Sequence, residues 1–166
     1  MIEHYTRAIV LDKEDYGDLD SRVVLYSADL GRITARVKSS RKITSKLAGH
    51  LEPGKFIRAR IIELGGFQVV DALSDGFLPI SPKTMAGLRM LKDMTVERDP
   101  DPELWAFIER GQLGAGEILS LLGFAPQFAS CRTCESGQPT HFLLKELEYS
   151  CHPCLVQSGR PLHFAL

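Results

Sequence analysis

Between residues 32 and 38 apolar and polar side chains alternate, with Ile33, Ala35 and Val37 on one side and Arg32, Thr34, Arg36 and Lys38 on the other. A period of two marks a strand with one buried face and one wet face, and here the wet face is basic. The pattern returns over 55–64, where Ile57, Ala59 and Ile61 oppose Phe56, Arg58, Arg60 and Ile62. Residues 5–13 hold the apolar run Ala8-Ile9-Val10-Leu11, broken by Tyr16-Gly17-Asp18, a turn composition. Residues 22–28 are β-branched and aromatic and predict a second strand. Asp29-Leu30-Gly31 follows as a turn, with the glycine at a left-handed position. Residues 39–50 lose the alternation and read as a basic loop leading into a short helix around Leu47, after which Pro53-Gly54 resets the chain. Gly65-Gly66 fits a two-residue hairpin turn into a fifth strand at 67–73. Five short strands with a helical piece between the third and fourth predict the Greek-key barrel of the OB-fold.

The period then changes. Residues 75–82 have linker composition, and Ser81 and Pro82 are a helix cap and first helical residue. Met85, Leu88, Met90 and Leu91 form an apolar stripe. Asp101 and Pro102 repeat the start signal before Leu104, Trp105, Phe107 and Ile108. Gly114 and Gly116 interrupt, and 117–122 is a last short helix stopped by Gly123. This helical layer either packs on the barrel or offers a groove to a partner peptide; the pattern favours packing.

The chain has 166 residues, of which 44% are hydrophobic and 25% charged, and this excludes wholesale disorder. No apolar run reaches the length needed to span a bilayer, and the first residues lack the apolar core of a signal peptide. The expectation is a cytoplasmic protein. The net charge of −1 carries no information by itself, but residues 32–60 hold nine cations and one acid, a local +8, while residues 1–31 sum to −4. A local positive field of this kind marks an anion-binding surface or the solvated face of a small barrel. Tyr16, Tyr26, Phe56 and Phe67 are either stacking faces for bases or barrel core, core being the commoner role.

Cys131-Arg-Thr-Cys134 and Cys151-His-Pro-Cys154 are two CxxC knuckles separated by sixteen residues, the spacing of a four-cysteine zinc site. A two-residue spacer lets a tight turn aim two thiolates at one tetrahedral centre. Residues 142–149 form a hairpin that brings the knuckles together. The region is too short and polar to build its own core, so metal would supply the folding energy. Two disulfides or a redox pair are the alternatives. His141 and His152 are candidate substitute ligands, and bystanders if four thiolates close the site; a closed site has no open position for catalysis. The chain has no GxxxxGK[ST], HExxH or GxSxG motif. It reads as a protein that is not an enzyme and has no small-molecule substrate.

Several segments resemble one family. Glu14-Asp-Tyr-Gly-Asp-Leu-Asp20, Val23-Val-Leu-Tyr26, Gly31-Arg-Ile-Thr-Ala-Arg-Val-Lys38 and Ser45-Lys-Leu-Ala-Gly-His-Leu-Glu-Pro53 are similar to the N-terminal domain of the bacterial RecO recombination mediators. Asp101-Pro-Glu-Leu-Trp105, Leu121-Leu-Gly-Phe-Ala-Pro126 and the first knuckle resemble the helical region and zinc knuckle of the same family. The resemblance implies an OB-fold, a helical domain and a zinc module that bind and anneal DNA in repair and recombination, without catalysis. It implies, as partners, the C-terminal tail of the single-stranded-DNA-binding protein SSB, and RecR, in helping to load RecA. The family usually has Lys-Gly after the third strand, where this chain has Lys38-Ser39, and it is commonly longer, so the resemblance is to a short form.

The combined expectation is an α+β chain. An OB-fold barrel occupies 1–75, a helical layer 76–126 and a structural zinc module 127–166, with zinc on Cys131, Cys134, Cys151 and Cys154. Single- or double-stranded DNA would meet Arg36, Lys38, Arg41, Lys42, Lys46, Arg58 and Arg60 through its phosphates, in a protein associated with the nucleoid and not with membranes. The rivals are a zinc-ribbon protein–protein adaptor on an OB scaffold and an RNA-binding OB protein.

Overall fold

The computed structural model describes residues 1–159 and 163–166. The chain divides into two compact units, Met1–Gln112 and Leu113–Leu166.

In the first unit five strands close a barrel: β1 (Ile2–Tyr16), β2 (Asp20–Ser27), β3 (Gly31–Val37), β4 (Lys55–Glu63) and β5 (Phe67–Phe77). The order around it is β1-β2-β3-β5-β4, with β4 returning to β1. All pairs are antiparallel except β3 with β5, which meet in parallel at Ala35↔Phe67 and Arg36↔Gln68. This is the OB arrangement that the sequence predicts. The alternation sets the interior: Ile33, Ala35 and Val37 from β3 and Ile57, Ala59 and Ile61 from β4 are buried in the barrel core. Gly65 and Gly66 make the β4–β5 turn at φ 64° and 157°.

The structure corrects two details. Residues 39–54 form no helix around Leu47; they are a series of turns, closed by Lys42 N–H to Ser39 O (3.2 Å), Ser45 N–H to Lys42 O (2.9 Å) and His50 N–H to Leu47 O (3.0 Å). Adjacent β-branched Ile43 and Thr44 and then Gly49 make a helix nucleus costly. Leu51, fully buried, and Leu47, half-buried, still turn into the barrel core. In addition β5 does not stop at 73, because Ser74, Gly76 and Phe77 continue to pair with β4 across a bulge.

Ser39 has φ 53°, a left-handed conformation that costs a residue with a Cβ about 1–2 kcal/mol. Its N–H donates to Asp20 Oδ1 (2.8 Å), which holds it there. Glycine takes this conformation freely, which is a physical reason for Lys-Gly at this corner.

Helices α1 (Pro82–Met94) and α2 (Pro102–Glu109) begin where the cap signals place them. Ser81 Oγ accepts from Thr84 N–H, and Asp101 Oδ1 accepts from Glu103 and Leu104 N–H. Their apolar residues, among them Leu88, Leu91, Leu104 and Ile108, are buried within this unit. α1 packs on β1 and β2, and Lys92 donates to Asp12 at 2.5 Å. Arg32 Nε donates to the Thr95 carbonyl (2.8 Å), and Gly31, at φ 66°, lies so close to Asp99 that a Cβ would sit 2.5 Å from its backbone. Tyr26, 1% exposed, is anchored by the Asp101 N–H donating to its hydroxyl (3.2 Å). The helical segment therefore covers the Gly31 end of the β1–β2–β3 outer face and leaves the Tyr16 end open.

The second unit holds α3 (Ala115–Leu121), a three-stranded sheet and α4 (His152–Ser158). The sheet runs β7 (Glu148–Ser150), β6 (His141–Leu143), β8 (His163–Ala165). The expected hairpin forms, with Phe142 opposite Tyr149. A small core forms here with help from outside the cysteine region. Phe142 is fully buried, with the rings of Phe124 and Tyr149 edge-on at 5.5 and 5.0 Å, and Ile118, Leu119 and Leu155 are buried as well. α3 and Phe124, from before the cysteines, complete it. No helix among the described residues is long and apolar enough to cross a membrane.

Candidate nucleic-acid interface and metal centre

The open end of the barrel face is basic. Arg36 leaves the outer side of β3, and Lys38, Arg41, Lys42 and Lys46 continue from it along the turns after β3; all five are exposed. Register adds a residue that the sequence reading missed: Arg22 of β2 lies directly opposite Arg36. Arg22 falls outside the 32–60 charge cluster, and only strand pairing brings it in. The Arg22 and Arg36 guanidinium carbons lie 4.4 and 5.6 Å from the centroid of the Tyr16 ring, a cation–π arrangement. Of the four aromatic candidates, Tyr26 is core. Phe67, 9% exposed, is edged by His4 and covered by Arg98, and Phe56 lies half-buried over Gly76. Tyr16, 40% exposed, is the one beside the basic surface.

The basic side chains are not equivalent. Arg36 pairs with Asp20 (2.5 Å), whose carboxyl is held below its ordinary range by the Ser39 N–H and by Arg36. Arg41 pairs with Asp15 (3.3 Å) and donates to the Gly17 and Asp18 carbonyls, so it braces the β1–β2 turn. Lys38, Lys42 and Lys46 form no ion pair among the described residues. They are the cations most available to an anion.

Arg58 and Arg60 are placed elsewhere, on β4 with β5 between them and β3. They line a groove of about 580 Å³ with Tyr5, Arg7, Leu73 and Trp105. Asp29 and Asp71 also line it, Arg58 pairs with Asp75 (3.3 Å), Arg60 with Glu3, and Arg7 with Glu109 (2.5 Å). Acids outnumber arginines there, so this groove attracts phosphate less than the turns after β3 do.

In the second unit the four cysteines converge. Cys131 and Cys134 lie on a turn closed by Glu135 N–H to Cys131 O (2.8 Å), and Cys151 caps α4 with Cys154 in its first turn. None is in a disulfide, and all four Sγ atoms lie within 4.8 Å of one another, with Cys134 and Cys151 at 3.6 Å. A tetrahedral ZnS4 centre with Zn–S of about 2.3 Å has S···S edges of roughly 3.8 Å. The cluster therefore fits a metal ion of that size and preference. Backbone N–H groups of Cys134 and Cys151 hold the Cys131 thiol down at about 5, while Cys154 is pushed up to about 12 by its hydrogen bond to Cys151 and by burial. Four thiols this close cannot all ionise unless a cation sits among them. The rings of His141 and His152 lie 5.5 Å apart, tilted by 34°, but neither joins the four-sulfur set.

Residues 1–73 match the family model "Recombination protein O N terminal". The "DNA repair protein RecO" of Myxococcus xanthus is 28% identical over 176 residues, covering 91% of this chain and 72% of the relative. The proteins of the same name in Bacillus velezensis and Bacillus subtilis are each 27% identical, over 88% of this chain and 66% of their own length. The chain thus spans about two thirds of the Bacillus relatives.

Proposed function

With an N-terminal domain of the RecO family and relatives of that name matching along 91% of its length, this is a RecO family protein, and we propose that it acts as a mediator in DNA repair and recombination that binds and anneals DNA and helps load RecA onto SSB-coated single strands. The observation that carries the DNA-binding part is the open end of the barrel face, where Arg22, Arg36, Lys38, Arg41, Lys42 and Lys46 adjoin Tyr16. Phosphates meet the lysines, Arg22 and Arg36; bases lie toward the aromatic ring with little sequence readout. Nothing in this role needs a bond to be made or broken. Zinc on the four cysteines is structural, holding the second unit together. SSB and RecR are its protein partners. The buried apolar faces of α1 and α2 leave an SSB tail peptide the outer side of α1, where Met85 stays exposed.

Fluorescence anisotropy with a labelled single strand across a salt series tests this reading. With about five phosphates neutralised, the log–log slope should be roughly −3.5, at about −0.7 per phosphate. Absence of binding at low salt overturns the DNA reading and favours the adaptor. An RNA oligonucleotide that outcompetes DNA favours an RNA-binding protein.

A further inference from the structure

At the centre of the basic loop stands a side chain that electrostatics does not explain. Ile43 is 106% exposed, as open as a side chain can be. Leaving an isoleucine in water forgoes about 2 kcal/mol of burial, and the loop's two leucines reduce that loss: Leu51 is in the barrel core and Leu47, half-buried, packs against it. The segment is held at both ends. Ser40 Oγ bonds to Ser21 Oγ (2.8 Å), Arg41 N–H donates to the Leu19 carbonyl (3.0 Å), and His50 Nδ1 bonds to Ser74 Oγ (2.9 Å). Between these anchors Ser45 N–H donates to Lys42 O, a turn with Ile43 and Thr44 at its centre. Lys42 and Lys46, exposed and without ion pairs among the described residues, flank that turn in sequence.

We propose that Ile43 is a wedge that enters between two adjacent bases of the strand whose phosphates the flanking lysines hold. The inference rests on the DNA reading above and adds a residue and an action to it. An apolar side chain placed among cations is suited to a polyanion with apolar base faces, and the DNA reading above makes a nucleic-acid strand that polyanion. Base unstacking costs a few kcal/mol per step and is offset by phosphate contacts and by removal of the isoleucine from water. A β-branched side chain suits the task because its χ1 is already restricted.

The test uses an oligodeoxyadenylate carrying 2-aminopurine at alternate positions, so that the binding register does not matter. Its fluorescence rises when stacking is lost. Anisotropy on the same oligonucleotide reports binding separately. The full chain should raise the 2-aminopurine signal at saturation. Ile43→Ser should bind with an unchanged salt slope, because no charge is lost, yet give less than half the rise; Ile43→Leu should restore it. Binding without a rise, or an equal rise from Ile43→Ser, overturns the wedge and leaves the DNA reading standing. No anisotropy change at low salt from the unaltered protein overturns both.

Discussion

Cys134→Ser should abolish stoichiometric zinc binding and unfold Leu113–Leu166 while leaving the barrel folded. Four-thiolate zinc sites contribute on the order of 10–16 kcal/mol to the folding of small domains. The core around Phe142 is too small to replace that contribution. The barrel core, with Ile33, Ile57 and Ile61, contains none of these ligands. In a ¹H–¹⁵N correlation spectrum, cross-peaks from 113–166 should collapse to random-coil positions, those from 1–112 should persist, and elemental analysis should find the zinc gone. The pH dependence has a definite sign. Zinc requires thiolates, and without metal Cys154 keeps its proton up to about 12. Binding zinc therefore releases protons, and affinity falls as pH falls. A variant that keeps both its zinc and its spectrum would remove the metal centre from this account.

Lys38→Ala, Lys42→Ala and Lys46→Ala together should weaken DNA binding on every sequence alike and flatten the salt slope by about 2 units, at about 0.7 per lost phosphate contact. These lysines are the clean test because they form no ion pairs among the described residues. Arg36 and Arg41 also brace Asp20, Asp15 and the β1–β2 turn, so their removal mixes lost contacts with a loosened loop. The thermal transition of the triple lysine variant should match that of the unaltered protein. An unchanged slope would move the interface away from these turns. The groove of Arg58 and Arg60 would then be the next place to look.

The strands were legible because a barrel strand has one dry face. Ile33-Ala35-Val37 and Ile57-Ala59-Ile61 announce that face two residues at a time, and the capping residues Ser81 and Asp101 announce the helices. The cysteine knuckles were legible because ligand geometry fixes their spacing. Residues 39–54 were not, because Leu47 and Leu51 are spaced like one helical face but are buried by a turn-rich path. The charge map was half legible. Counting along the chain separates an acidic 1–31 from a basic 32–60, but antiparallel pairing interleaves them, so Glu3 meets Arg60 and Asp20 meets Arg36. The same pairing brings Arg22 beside Arg36 from outside the basic window. Linear charge overstates the field at Arg58 and Arg60, and it misses that Arg22 lies between Glu14 on β1, with which it pairs at 3.3 Å, and Arg36 on β3, since long-range register decides which charges become neighbours.

Titration of the ¹⁵N-labelled protein with a short single-stranded oligonucleotide at low salt tests the central claim most directly. Shifts should concentrate on Tyr16, Arg22, Arg36, Lys38 and the turns from Arg41 to Lys46, and should fade as salt rises. Shifts confined to the four-cysteine unit, or none at saturating DNA, would contradict the claim that the open barrel face holds the strand.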